Sequence, residues 1–264
     1  MASKVFTDQM NRKVEIPFPP QRIVSVVPSQ TELLFDLKLD DRVTAITKFC
    51  VHPREWFQTK TRIGGTKKLH LDQIRKIQPD LIIANKEENT QAEIEILEKE
   101  FPVWISDIQN LDEACNMILS IGEICNRQSE SAEIVQQITA EFNQLSPLIP
   151  SQRAIYLIWN EPYMAINSDT FIHEMMFRCG FENCTANLNS RYPEISVEEM
   201  KSLQPEVILL SSEPFPFSAK HQVEIQAQFP NSQVILVDGE FFSWYGSRLI
   251  QAPQYFQKLL LKIA

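Results

Sequence analysis

Few side chains in this 264-residue chain stand at spacings that support covalent or metal chemistry. Cys50 and His52 lie two positions apart, a thiolate and an imidazole that a soft divalent metal accepts as donors, and His70 could add a third ligand. A histidine ahead of Pro53 reads equally as a turn residue. His173-Glu174 opens a zinc-helix pattern, but Phe177 stands where the second histidine is required, so His173 is expected to be structural. Glu161 and Glu240 have the chemistry of an acid and a base, yet nothing in the sequence sets their separation. GxSxG, CxxC, GxGxxG and GxxxxGK[ST] are all missing. The residues favour a binding protein over an enzyme, with no catalytic residues and no intrinsic cofactor expected.

What the chain has instead is aromatic side chains gathered in the segments that follow strand-like runs. Phe49 lies in Lys48–Pro53, Trp159 opens Trp159–Tyr163, and Tyr192 lies in Asn189–Pro193. Two rings stand in Ser212–Phe217, and Glu240, Phe241, Phe242 and Trp244 all fall within Asp238–Tyr245. Rings at loop ends suit a large, flat, partly apolar ligand. The plainer reading is that some of them pack the loop bases.

Such loops need a scaffold, and the chain alternates short apolar runs with amphipathic helical patterns. Ile23–Val27 is followed by Pro28 and by Ser29-x-x-Glu32, a capping-box pattern that predicts a helix start. Val43–Ile46, Leu81–Ala84, Val103–Ile105, Ala154–Trp159, Val207–Leu210 and Val234–Val237 read as further strands. Nearly continuous apolar strands interleaved with helices predict parallel sheets covered on both faces. Ser129–Leu145 carries Ile134, Val135, Ile138, Phe142 and Leu145 at helical spacing, with Glu130 and Glu133 in its first turn and Pro147 beyond its end. It reads as one long helix joining two lobes, or as an ordinary helix within a single domain.

An internal repeat supports two lobes. Leu71–Ile83 realigns 126 positions later with Val197–Leu209, sharing Gln78-Pro79 with Gln204-Pro205 and conservative swaps at most other places. Arg22-Ile23-Val24 and Arg153-Ala154-Ile155 open the first strand of each half. A period this long means duplicated lobes rather than a solenoid; two unrelated helix–stop–strand units are the alternative. The carboxyl ends of two such sheets would face a shared crevice.

Composition removes other classes. With 25 basic against 34 acidic residues and a net charge of -9, the chain has no electrostatic footprint for nucleic acid. With 44% hydrophobic and 22% charged residues it is not disordered. No apolar run reaches the roughly 18 residues of a membrane span. Cys50, Cys115, Cys125, Cys179 and Cys184 are odd in number and read as mostly reduced, with Cys179–Cys184 open as a bridge. The N-terminal segment has no signal-like apolar stretch. A cytosolic protein, or one whose signal has been removed, both fit.

The run Arg22-Ile-Val-Ser-Val-Val-Pro-Ser-Gln-Thr-Glu32, followed by Leu71-Asp72-x-Ile-x-x-Ile-x-Pro79-Asp80-Leu-Ile-Ile, resembles the solute-binding proteins of ABC importers for cobalamin, siderophores and haem. The second half continues the likeness through Ser168–Ile172, Arg191–Ser196, Phe241-Phe242 and Ser247-Arg248, and the cobalamin-binding branch is the most similar. The resemblance implies an α/β fold of two Rossmann-like lobes with mainly parallel sheets. The lobes would span 1–127 and 148–264, joined by a backbone helix over 128–147, with the ligand cleft between them. It further implies an aromatic cage at Phe49, Trp159, Tyr192, Phe241 and Phe242, with Trp244 nearby and Glu240 as an acidic contact. Thr66 and Asn85 align with two cage tryptophans. Asp72 and Glu198, equivalent in the repeat, match acidic residues that pair with arginines of the importer's membrane subunits. The expected ligand is a corrinoid, ferric siderophore or haem, and the expected protein is a monomeric receptor in the periplasm or cell envelope. A cytosolic protein of the same fold, binding a cofactor or metal for storage, delivery or enzymatic use, is the alternative.

Overall fold

The structure, a computed structural model, describes residues 2–263. The chain divides into two compact units. The first takes the chain up to Ile108, then Asp112–Thr139 and Tyr245–Arg248; the second takes Gln109–Leu111, Ala140–Trp244 and the chain from Leu249 onward.

The first unit opens with a hairpin, β1 (Ser3–Thr7) and β2 (Lys13–Pro17). Next come β3 (Ile23–Ser25), α1 (Pro28–Asp36), β4 (Val43–Ile46), α2 (Arg54–Thr59) and β5 (Thr61–Arg62). A small hairpin, β6 (Gly64–Gly65) and β7 (Lys68–Leu69), leads to α3 (Leu71–Ile77), β8 (Leu81–Asn85), α4 (Gln91–Glu98) and β9 (Val103–Ser106). Helices α5 (Leu111–Ile124) and α6 (Gln128–Phe142) follow. The main sheet runs β5-β4-β3-β8-β9, every pairing parallel. Every residue of β3 and β8 is buried, as central strands covered on both faces must be.

The second unit is built on β10 (Gln152–Trp159), β11 (Met164–Ala165), α7 (Phe171–Cys179), β12 (Phe181–Asn183), α8 (Val197–Ser202) and β13 (Val207–Ser211). It continues through α9 (Ala219–Gln228), β14 (Gln233–Val237), α10 (Glu240–Ser243) and α11 (Ala252–Leu260). One edge of β10 pairs in parallel with β13, which pairs with β14; its other edge carries parallel β12 and antiparallel β11. Ile155, Leu157, Met200, Ile208, Leu210 and Phe229 belong to one apolar cluster here.

The repeat is structural down to register. Helices α3 and α8 both give way to a glutamine in the left-handed region, Gln78 at φ 51° and Gln204 at φ 48°. Pro79 and Pro205 then forbid another turn. Ile23 lies opposite Leu81 and Ala154 opposite Val207, the same pairing one repeat apart. The acidic residue before each strand anchors the preceding one. Asp80 accepts the backbone N–H groups of Gln21 and Arg22 at 3.0 and 2.7 Å, and Glu206 accepts that of Arg153 at 2.8 Å.

Two sequence expectations are corrected. The capping box at Ser29–Glu32 does not form, because Pro28 takes the first helical position after Val27 and Ser29 is already buried inside α1. Helix α6 stops at Phe142, short of Leu145; the N–H groups of Gln144 and Leu145 bond three residues back, tightening the end of the helix. All five cysteines are free, Cys179 and Cys184 included.

Candidate functional site

In an open parallel sheet a crevice forms where adjacent strands lead their chains to opposite sides, since the loops after them diverge. In the second unit that point lies between β10 and β13, whose neighbours β12 and β14 continue outward in opposite directions. Strand β10 buries the five residues before Trp159 and then exposes Trp159 by 40%. The loop after β13 supplies Phe215, which meets Trp159 edge-on with centroids 5.7 Å apart. The N–H of Phe215 donates to the Ile158 carbonyl at 3.2 Å, holding the two strand ends together. Phe215 also meets Phe217 at 4.9 Å and His221 at 5.2 Å. A wall of edge-packed rings thus fixes the indole while leaving much of it in solvent, a surface suited to a flat apolar ligand.

Beyond β14, the short helix α10 divides its aromatics. Phe242 is fully buried between Tyr156 at 5.2 Å and Phe256 at 4.7 Å. Phe241 is half-buried and stacks on Tyr255, centroids 4.5 Å apart and planes 15° from parallel. Glu240, in the first turn, remains partly exposed. Beneath them Glu213 accepts from the Ser243 hydroxyl at 2.5 Å and from the Trp244 indole N–H at 3.0 Å. Burial pushes the Glu213 carboxyl upward, and the nearby charges of Glu240 and Asp238 push the same way against those two donors.

The equivalent point of the first unit, between β3 and β8, is stitched by amides. Asn89 donates to the carbonyls of Val26 and Thr66, both at 3.1 Å. The Asn85 amide donates to Ser106 while its oxygen accepts the N–H groups of Glu87 and Glu88. Phe49 is the exposed ring of this unit, 51% open after β4, with the Lys48 ammonium 4.9 Å from its centroid.

Of the expected ligand contacts, Phe49, Trp159, Tyr192, Glu240 and Phe241 retain exposed or partly exposed surface. Phe242 does not: it is a core side chain, and its assignment to a ligand surface is corrected. Trp244 is buried and committed to Glu213, while Thr66 and Asn85 are buried and bonded internally, so these three act on loop shape. The Cys50–His52 metal pair is corrected as well. The Cys50 thiol is buried, hydrogen-bonded to Thr31 and Thr47, and pushed upward by burial. Among the described residues no group of three or more His, Cys, Asp or Glu side chains is placed to hold a metal ion. His173 packs its ring nitrogen 3.2 Å from the Asn183 amide.

Asp72 and Glu198 stand in the first turns of α3 and α8, both exposed. Asp72 pairs with Arg75 at 2.9 Å, and Arg75 also grips Glu100 at 2.8 Å. In α8 the capping box is made by Ser196 and Glu199, which leaves Glu198 without that duty.

Two groups, Arg248 and Glu213, were given no role by the sequence. Arg248 forms a bidentate pair with Glu32 at 2.9 and 2.8 Å, across 216 positions of chain. Burial raises the Glu32 carboxyl, against the opposing pull of Arg248. The other is Glu213, one acid among many in composition and unmarked by any periodicity.

Comparison with known proteins places this geometry. Residues 23–233 match the family described as periplasmic binding protein. The vitamin B12-binding protein of Vibrio parahaemolyticus is 26% identical over 198 residues, 73% of this chain and 71% of that protein. The petrobactin-binding protein from Bacillus subtilis superposes with a TM-score of 0.83 at 16% identity, covering 98% of both chains. The periplasmic heme-binding protein of Vibrio cholerae gives a TM-score of 0.77 at 17% identity, over 91% of this chain and 98% of that one. At such identities the solved structures carry the fold alone.

Proposed function

The chain belongs to the periplasmic binding protein family, and we propose that it is the receptor for a metal-chelate ligand (corrinoid, haem or ferric siderophore) that it delivers to an ABC importer. The observation that carries this reading is Trp159, exposed at the strand switch point of its unit and buttressed from behind by Phe215. A ring held this way meets a flat ligand at little entropic cost, and each buried ring contributes through area and stacking. In the same unit Phe241 and Tyr192 add further aromatic surface, and Glu240 adds a hydrogen-bond acceptor or a negative charge for a polar edge. Binding asks these groups for shape and contact and asks for no bond to be made or broken, in keeping with a family of binding proteins. The relative named for vitamin B12 supports this class of ligand, and the solved structures named for petrobactin and heme share the fold. Asp72 and Glu198, duplicated on equivalent helices, are the carboxylates proposed to meet basic residues of the importer.

These chelates carry strong visible absorption, which makes the test direct. The protein is mixed with cyanocobalamin, haemin or ferric petrobactin and passed through a desalting column. One chelate is expected to travel with the protein at a one-to-one ratio. If none is retained at tens of micromolar, the ligand class is wrong.

A further inference from the structure

We infer that Glu213 is the positioning residue of the ligand-binding turn, holding residues 239–244 so that Glu240 and Phe241 are presented on the loop-end face; the inference rests on the reading of that face given above. Helix α10 has only four residues, far too few to hold a helical turn by its own hydrogen bonds. Its place must be imposed from outside. Phe242 does this on the apolar side, buried against Tyr156 and Phe256. On the polar side one oxygen of Glu213 receives both donors the end of the turn offers, the Ser243 hydroxyl at 2.5 Å and the Trp244 indole at 3.0 Å.

The base from which Glu213 reaches is itself fixed. Ser211 donates its hydroxyl to the Glu213 carbonyl at 2.6 Å and accepts the Glu213 N–H at 3.2 Å. The Tyr156 hydroxyl donates to Ser211 in turn, at 3.1 Å. The front of the turn is seated on the same loop: the Gly239 N–H donates to the Ser212 hydroxyl at 2.9 Å. A Cβ at Gly239 would lie 2.3 Å from the Ser211 hydroxyl and 2.8 Å from Cγ of Glu213, so the backbone touches its support directly. The groups that face this carboxylate are the Ser243 and Trp244 donors, the acids Asp238 and Glu240, and the Tyr156 phenol. Burial, and after it the neighbouring acids Glu240 and Asp238, raise its proton affinity, and the indole of Trp244 is placed to report its protonation.

The test uses Glu213→Ala and Glu213→Gln in the full chain, since a glutamine oxygen can accept the same two donors. In ligand-free protein, amide hydrogen exchange across 239–246 is expected to quicken at least tenfold in the alanine variant and to stay within threefold of wild type in the glutamine variant. Exchange in β10 and β13 should remain unchanged. Wild-type tryptophan emission, with a Trp244→Phe variant to isolate that ring, is expected to titrate with a midpoint above the usual glutamate range; Glu213→Gln should abolish the titration. Whichever of cyanocobalamin, haemin and ferric petrobactin the wild type binds should bind the alanine variant at least tenfold more weakly, with glutamine restoring most of the affinity. An alanine variant with wild-type exchange in the turn, or a glutamine variant that restores nothing, overturns the inference. Wild-type protein that binds none of the three probes counts against the ligand reading, and exchange and fluorescence still decide the role of Glu213.

Discussion

Trp159 and Phe242 have similar prospects in the sequence and opposite fates in the fold, and truncation should separate them. Trp159→Ala is expected to weaken ligand binding by roughly 1–3 kcal/mol with little change in stability, because its ring is largely outside the core. Phe242→Ala removes a fully buried ring and should cost about 3–5 kcal/mol of stability, measured by denaturant unfolding. The aromatic concentration in Asp238–Tyr245 was legible in the sequence, but not which ring turns inward, since a four-residue helix has no periodicity to read. The pH dependence of stability also belongs to single residues. Glu32, Asp36 and Glu213 have carboxyls raised by burial. Each binds its proton more tightly folded than unfolded, so their contribution is greatest in acid. It is lost as pH rises from about 4 through the raised folded values. His173, lowered by burial, acts in the other direction: stability falls as pH drops from about 6.5 through its folded value. Glu213→Gln should therefore raise stability more at pH 8 than at pH 4, read from melting curves at the two pH values.

At the scale of elements the duplication makes a paired prediction. Asp80 and Glu206 do the same work at the same point of the repeat, but Asp80 is buried and serves two N–H groups, whereas Glu206 is exposed. Asp80→Ala removes a buried carboxylate that serves two N–H groups and should cost about 1–3 kcal/mol; Glu206→Ala, which removes an exposed carboxylate serving one, should cost under about 1 kcal/mol. Gln204 sits in the left-handed region, where a Cβ is strained, so Gln204→Gly is expected to be neutral or stabilising by up to about 1 kcal/mol and Gln204→Val destabilising. The helix–stop–strand repeat was readable because Gln-Pro and the apolar strand after it are local chemistry. The Glu32–Arg248 pair and the failure of the Ser29–Glu32 cap were not readable. The pair is a contact made 216 residues away, which no local window contains; the cap fails because Pro28, not Ser29, opens the helix, which the capping pattern alone does not reveal.

At the scale of the molecule the two equivalent exposed carboxylates bear on the proposed docking to an importer. The double variant Asp72→Ala/Glu198→Ala is expected to keep ligand affinity and stability while losing binding to the importer's membrane subunits, and the wild-type interaction should weaken as salt rises. Asp72 must exchange Arg75 for its partner, so Glu198→Ala alone should have the larger effect of the two single variants. The α/β class, the duplicated lobes and the ring-bearing loop ends were legible from residue patterns, whereas the closing of the first unit's switch point by Asn85 and Asn89 came from side-chain geometry alone. The most direct measurement of the whole account is calorimetric titration of wild-type protein and Trp159→Ala with cyanocobalamin, haemin and ferric petrobactin. The account predicts low-micromolar or tighter one-to-one binding of at least one chelate by the wild type, weakened at least fivefold by the substitution. Absence of heat with all three, or equal affinity in a folded Trp159→Ala protein, would contradict it.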